Sequence, residues 1–448
     1  MKRLANGAAA VAAVVVLLAP ALWNGFPLLE YDTGGYIARW YEGTLEVSRS
    51  TVYGLFLNAL ARPDFWPAAA VQAILAVWVI ALVLRAHRLG GRPLVLLGTI
   101  AALSIVTTLP WIAGILLTDT FAGLGVFALY LVVMRPETLA PWERVALVVF
   151  AAFAGSTHSA TLAVELALVL CAAIVALFRR NIVPLAGLGR GIAAIVLAPL
   201  MLLAANYVVA GEVAWTPGGI GLSFGRMLQD GIVARFLADH CPDPRLRLCD
   251  HRADLPNDAD EFFWGKSVFN ELGRFQGLNE EMRTIVLESL RAYPLWQLEA
   301  ATSASVRQLL AVRTGEGDNN EIWHTYGIIK RFVPSVVPAM QAARQQKGEL
   351  GFAAINRLHV PIAYLSMALL LVIVPLALRG AVSRELGLLA TTAALALLAN
   401  AAVCGVFANP HDRYGVRMVW IATFVVIVAL WEWALGRSDL RQRRTAAS

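Results

Sequence analysis

Apolar residues in this chain run in long, nearly uncharged blocks parted by short polar segments, the pattern of helices that must each hide their backbone from lipid. The candidate spans are 8–26, 66–84, 94–111, 116–134, 145–157, 160–178, 191–210, 359–378, 385–407 and 416–435. Most approach the ~20 residues needed to cross a bilayer. The fifth and sixth are parted only by Gly155-Ser156-Thr157-His158. Residues 211–358 change character. Amphipathic helical patterning covers Asp258–Gly273, Glu280–Tyr293, Leu295–Ala311 and Tyr326–Gln346, punctuated by Pro294, Gly315 and Pro334. The pattern predicts an all-α polytopic membrane protein of about ten transmembrane helices with a helical insert. The expected units are an amino-terminal bundle 1–210 with a first loop 27–65, the insert 211–358, carboxyl-terminal spans 359–436 and a polar tail 437–448. No internal repeat or low-complexity segment is visible.

Composition strengthens this reading. The chain is 58% hydrophobic and 15% charged, against roughly 45–50% and ~25% in soluble proteins. The apolar stretch Ala8–Phe26 follows Met-Lys-Arg like a signal peptide but lacks a clear small-x-small cleavage site, so a retained first span is expected. The net charge of +6 does not point to nucleic acid, because the basic residues sit in short clusters between apolar blocks. With the amino terminus inside, the short cytoplasmic segments hold sixteen Lys and Arg, including Arg85, Arg88, Arg92 and Arg180. The opposite short loops hold five: Arg39, Arg49, Arg62, Arg413 and Arg417. That bias places both termini in the cytoplasm and the insert outside. Alanine and arginine richness with scarce lysine suits a high-GC bacterium, making the expected location the inner (plasma) membrane with the insert in the periplasm. Cys241 and Cys249 then lie in an oxidising compartment, eight residues apart around two prolines, and are read as a disulfide, with free thiols or metal ligands (with His240 or His251) as alternatives. Cys171 and Cys404 lie within apolar blocks as small buried side chains.

No phosphate-binding glycine-lysine loop, dinucleotide fingerprint or spaced Cys/His metal cage occurs. The chemistry-bearing residues lie at the outer ends of spans. Leu29-Glu30-Tyr31-Asp32-Thr33-Gly34-Gly35-Tyr36 offers Asp32 as a base, or is a solvated turn with interfacial tyrosines. Asp119 in Leu117-Thr118-Asp119-Thr120 either caps the following helix or faces a cavity. His158, with Glu165 on the same helical face, is functional or merely interfacial. In Asn409-Pro410-His411-Asp412-Arg413-Tyr414, Arg413 is either a phosphate ligand or half of a surface pair, and Arg49 is a second phosphate candidate.

Together these segments resemble the polytopic glycosyltransferases of the GT-C fold, in particular bacterial dolichyl-phosphate-mannose protein mannosyltransferase-like and aminoarabinose transferase-like enzymes. The matching elements are Asp32 and Tyr36 followed by Ser48-Arg49-Ser50-Thr51-Val52-Tyr53-Gly54, Thr118-Asp119 opening an aromatic-flecked helix, a large outer domain, and Arg413-Tyr414 before the last span. They cover roughly 8–180 and 400–435. The family's Asp-x-x-Glu spacing is absent, Glu30 preceding Asp32 by two residues, and His158 stands where a basic residue is usual. The resemblance implies inverting transfer of a sugar from a polyprenyl-phosphate carrier to a periplasmic or lipid-linked acceptor, as yet unidentified. Asp32 would be the base and Asp119 the orienting acid, with Tyr36, Arg49, His158, His411, Arg413 and Tyr414 binding substrate. Some members of this fold use a divalent metal and others do not, and Asp32 with Asp119 could share one. Three other readings differ in their requirements: a polysaccharide ligase or polymerase would depend on His324 and Arg331, a transporter on ionisable groups deep in several helices, and an assembly protein on the outer domain alone.

Overall fold

The computed structural model describes residues 2–217 and 219–446, whose regular elements are all helices, with no strand among them. The expected first span is divided into α1 (Lys2–Leu17) and α2 (Ala19–Asn24). Pro20 sits in the first turn of α2, where its missing N–H would have no intrahelical partner in any case. After the short α3 (Thr33–Glu42) and α4 (Thr51–Ala59) comes the long α5 (Trp66–Ala86). Pro110 repeats the device, splitting the expected 94–111 span into α6 (Pro93–Val106) and α7 (Leu109–Gly114). Next come α8 (Asp119–Met134), α9 (Pro141–Thr157), α10 (Ser159–Phe178) and α11 (Leu185–Ala210). α8 is the axis of the bundle, with every residue from Asp119 to Val133 buried.

The insert contributes α12 (Gly219–Gln229), α13 (Ile232–His240), α14 (Ala259–Trp264), α15 (Val268–Glu271), α16 (Arg274–Ala292), α17 (Pro294–Leu310), α18 (Trp323–Phe332) and α19 (Val337–Ala342). Pro334 ends α18 and breaks the expected 326–346 helix. The insert is not one unit in its packing. Phe224, Phe236, Phe262, Phe269 and Met282 build a separate small core, whereas Ile322, Ile329, Val336 and Met340 join the core of the bundle. α17 packs extensively on α21, with Gly405 set against the backbone of Ala304. The chain closes with α20 (Ala353–Leu378), α21 (Arg384–Phe407) and α22 (Asp412–Ala446). Six helices among the described residues are long and apolar enough to cross a membrane: α5, α10, α11, α20, α21 and the Asp412–Gly436 part of α22. Leu4–Leu17, α6 and α8 are shorter apolar helices. The chain is thus a helical, multi-pass type of protein, with six helices of spanning length among the described residues, short of a demonstration of the expected ten spans.

Polar segments gather at two ends of the bundle. At one, Leu28 and Ile115 form a backbone bridge, Ser50 donates to the Ser156 carbonyl (2.8 Å), and Gln308 donates to the His411 carbonyl (2.8 Å). At the other, Arg85 meets Glu143 (3.0 Å), His87 meets Glu432 (2.9 Å) and Arg384 meets the Asn181 carbonyl (3.0 Å). Buried Gln345 secures the first end: its side-chain amide takes both the N–H (3.0 Å) and the carbonyl (2.6 Å) of Leu29, and its backbone N–H donates to Asn24. Gln345→Ala leaves two buried backbone groups without partners. We expect a loss of about 1–3 kcal/mol, seen as a lower midpoint in thermal unfolding of the detergent-solubilised protein, with exposed Gln276→Ala unchanged.

Candidate functional site

The first loop is fixed by its own hydrogen bonds before any charge is considered. The Asp32 N–H donates to Glu30 Oε2 (2.6 Å), and the Glu30 N–H donates to Thr33 Oγ1 (3.0 Å). α18 lies over the start of α3, where Thr325 Oγ1 accepts from the Gly34 N–H (2.9 Å) and reaches the carbonyls of Glu30 and Tyr31. Gly34 is required there, since a Cβ would stand 2.7 Å from the Thr325 backbone. This clamp aims the Glu30 and Asp32 carboxylates at the start of α22.

Arg413 is the centre on which they converge. Its Nη1 donates to Asp32 Oδ2 (2.7 Å) and Glu30 Oε1 (3.1 Å), its Nε donates to Asp119 Oδ2 (3.2 Å), and its backbone N–H donates to Glu316 Oε2 (2.6 Å). The other oxygen of Asp32 accepts from Arg49. Asp32, Arg49 and Arg413 are each less than one-fifth exposed. Against the cost of burial, the charges of Arg49 and Arg413 hold the Asp32 carboxyl at about 2, with a smaller contribution from His158. Glu30 goes the other way. Burial pushes it up to about 7, the pull of Arg413 being partly offset by the like charge of Asp32. Burial, reinforced by Glu30 and Asp119, also carries Asp318 well above the ordinary carboxylate range. Acids outnumber cations here, and burial together with neighbouring like charge favours the protonated forms of Glu30 and Asp318.

Asp119 does not cap α8: Thr118 holds the cap position without a side-chain bond, and Asp119 Oδ1 is buried with no hydrogen-bond partner among the described residues. Tyr36 is buried edge-on to Tyr53, with the Arg49 guanidinium 5.9 Å from its ring. His158 breaks the helix as expected, capping α10 by accepting from the Ala160 N–H (3.2 Å). Glu165, about two turns further along α10, is fully buried between Gly125 and Gly155, without a partner among the described residues. Tyr414 stands edge-on to His411. His411 itself pairs with Glu316 (2.8 Å) and with Asp260 of α14 (3.3 Å). Although burial opposes its charge, these carboxylates raise its imidazole to about 10, and it ties the insert to the bundle rather than facing the cavity. Cys241 and Cys249 are joined in a disulfide in the described structure. His324 is exposed and stacks on Tyr31, and Arg331 stacks on Phe332.

Glu30, Glu316, Asp318 and Arg417 were not read as site residues from sequence. Glu30 could have been flagged as a second carboxylate two residues from Asp32, but no local signal marks the others. Arg417 lies one turn further along α22 and is fully buried. It holds Asn400 Oδ1 through Nε (3.1 Å) and Nη2 (2.8 Å), and no carboxylate pairs with it among the described residues.

Two cavities share Trp111 as a wall, and the smaller one borders the cluster. One of about 20 Å³, room for about one water, is lined by Asp119, Asp318, Arg413 and Trp111. Trp111 is also a wall of a much larger groove of about 720 Å³ between α1–α2, α6–α7 and α20, lined by Val16, Pro20, Trp23, Ile105 and Leu358 among others. Its lining is mainly apolar, and its size is that of a ligand site, roughly 300–1,000 Å³. A metal shared by Asp32 and Asp119 does not fit the arrangement, because the Arg413 guanidinium already lies between the two carboxylates. Among the described residues no group of three His, Cys, Asp or Glu side chains is arranged to hold a metal ion.

Comparisons with protein-family models, curated proteins and solved structures find no match to this chain.

The raised Glu30 has a pH signature. The native state binds a proton that the unfolded chain releases near the ordinary value of 4.5, so stability is fully present below that value and is lost as pH rises through about 7. We expect the unfolding midpoint of the wild type to decline from about pH 5 to about pH 8. In Glu30→Gln, which is neutral throughout, the decline should be much shallower. Parallel curves for the two proteins would remove Glu30 as the proton carrier.

Proposed function

We propose that this chain is a membrane glycosyltransferase that moves a sugar from a polyprenyl-phosphate carrier to a periplasmic or lipid-linked acceptor. We further propose that the Arg413 end of the bundle faces the periplasm of a bacterial inner membrane. The observation that carries this reading is that Trp111 stands between the small cavity bordered by the arginine–carboxylate cluster and a large apolar groove, lining both. A polyprenyl phosphate needs such a pair: apolar walls for isoprene units and guanidinium groups for the phosphate at their head.

The chemistry follows from the residue types. The acceptor oxygen forms a bond to the anomeric carbon while the bond from that carbon to the phosphate oxygen breaks, leaving its electron pair on the phosphate. Arg413 and Arg49 stabilise the charge that grows there. The acceptor's proton must go to a carboxylate. Asp32, gripped by both arginines, is a poor base in the arrangement described. A donor phosphate competes for the same two guanidinium groups and relieves Asp32 of the charges that lower its pKa. Donor binding therefore makes the base competent. Arg417, with no carboxylate partner among the described residues, adds fixed positive potential one turn further along α22.

Asp32→Asn should cut transfer from a polyprenyl-phosphate sugar by about 10²–10⁴-fold in proteoliposomes, with membrane insertion and a cooperative unfolding transition retained but at a lower midpoint, because two buried arginines lose a counter-charge. His324→Ala should stay near wild type, which separates this reading from a ligase that depends on the outer domain. Near-normal transfer by Asp32→Asn would remove Asp32 from the role of base. Loss of transfer with His324→Ala alone would favour the ligase.

A further inference from the structure

The opposite end of the bundle holds a second pair of cavities, independent of the Arg413 cluster. The turn between α5 and α6 carries His87, Arg88 and Arg92. On one side of it lies a cavity of about 330 Å³, whose charged walls are Arg88, Arg92, Glu385 and Glu432. On the other lies an apolar cavity of about 240 Å³ between α1, α5 and α6, bounded by Ala10, Leu82, Leu84 and Leu96. Leu89 and Arg92 line both, so the two spaces meet across the turn.

The charges facing the first cavity are unequally occupied. Glu432 Oε1 pairs with His87 Nδ1 (2.9 Å), and its Oε2 accepts from Ser383 Oγ (2.8 Å). His87, buried, meets the Tyr130 hydroxyl through Nε2 (3.1 Å). Glu385 lies 3.7 Å from Arg135. Both acids thus have protein partners, whereas Arg88 and Arg92 form no ion pair among the described residues. Two guanidinium groups without an ion pair among the described residues, beside an apolar slot at a bundle end, offer an anion site with a place for a hydrocarbon chain. Basic pockets between membrane helices recognise lipid head groups in this way.

We propose that Arg88 and Arg92 bind the phosphodiester of an anionic phospholipid, with an acyl chain in the adjoining apolar cavity. The lipid source is favoured over free phosphate because Arg92 and Leu89 join the charged space to the apolar one. Arginine suits the role because its planar fork takes phosphate oxygens in pairs.

The test uses the full-length protein, delipidated in detergent and titrated with phosphatidylglycerol, phosphatidylcholine or inorganic phosphate, with bound lipid counted by native mass spectrometry. We expect phosphatidylglycerol to bind the wild type at least about tenfold more tightly than the Arg88→Gln/Arg92→Gln double variant, since each lost charged hydrogen bond weakens binding by about that factor. Phosphatidylcholine should bind more weakly, and inorganic phosphate should not displace phosphatidylglycerol at equal concentration. Exposed Arg180→Gln should bind as wild type, and an unchanged elution volume would show that the double variant remains folded. Equal phosphatidylglycerol binding by the double variant would overturn the proposal. So would equally tight binding of phosphatidylcholine, or displacement by inorganic phosphate.

Discussion

A guanidinium buried at the end of a helix bundle must be given counter-charge, and Arg413 draws it from distant parts of the chain: Glu30 and Asp32 in the first loop, Asp119 at the head of α8, and Glu316 on its backbone amide. A buried charge without partners is far more costly than a buried pair, so these segments hold one another in place. Gln345 and Thr325 reinforce the closure by satisfying the backbone on either side of Glu30. The cluster is also over-supplied with acid. That excess keeps Glu30 protonated to about pH 7, while Asp32, with both oxygens on arginines, stays ionised.

The same imbalance gives the end of the bundle its chemical character. On the proposed reading, a phosphate would take over the guanidinium groups that Asp32 now holds, beside carboxylates whose burial favours the protonated form. On the same reading, the mainly apolar groove behind Trp111 would seat the hydrocarbon that a purely ionic pocket could not. The other end of the bundle has a different logic. Its pairs Arg85–Glu143 and His87–Glu432 link helices, with Arg88 and Arg92 left facing outward.

How much of this was legible in the sequence depends on range. Long apolar blocks marked the long helices, and the Asp32, Asp119 and Arg413 segments could be assigned to one end from the charge bias between blocks. The helix break at His158 was visible as a cluster of small and polar residues. Pro20 and Pro110 were legible as helix starts, but averaging over each apolar block concealed them, and two single spans were expected where four helices stand. Asp119 carried a capping signature that Arg413 overrides. Glu316 and Asp318 lie in a glycine-flanked segment of the insert with no pattern of their own. Their place follows from docking against α22, which no local window contains. The insert was read as one unit because its patterning is uniform, yet α18 and α19 belong to the bundle core and α12–α16 to a core of their own.

The most direct measurement is photo-crosslinking with a polyprenyl phosphate carrying a diazirine in its first isoprene units, followed by peptide mapping. Labels on Trp23, Ile105 or Leu358 that disappear with excess unlabelled polyprenyl phosphate are the expected result. Labels spread over the outer faces of α10, α11 and α20, and unaffected by competitor, would contradict a lipid-phosphate site at Arg413.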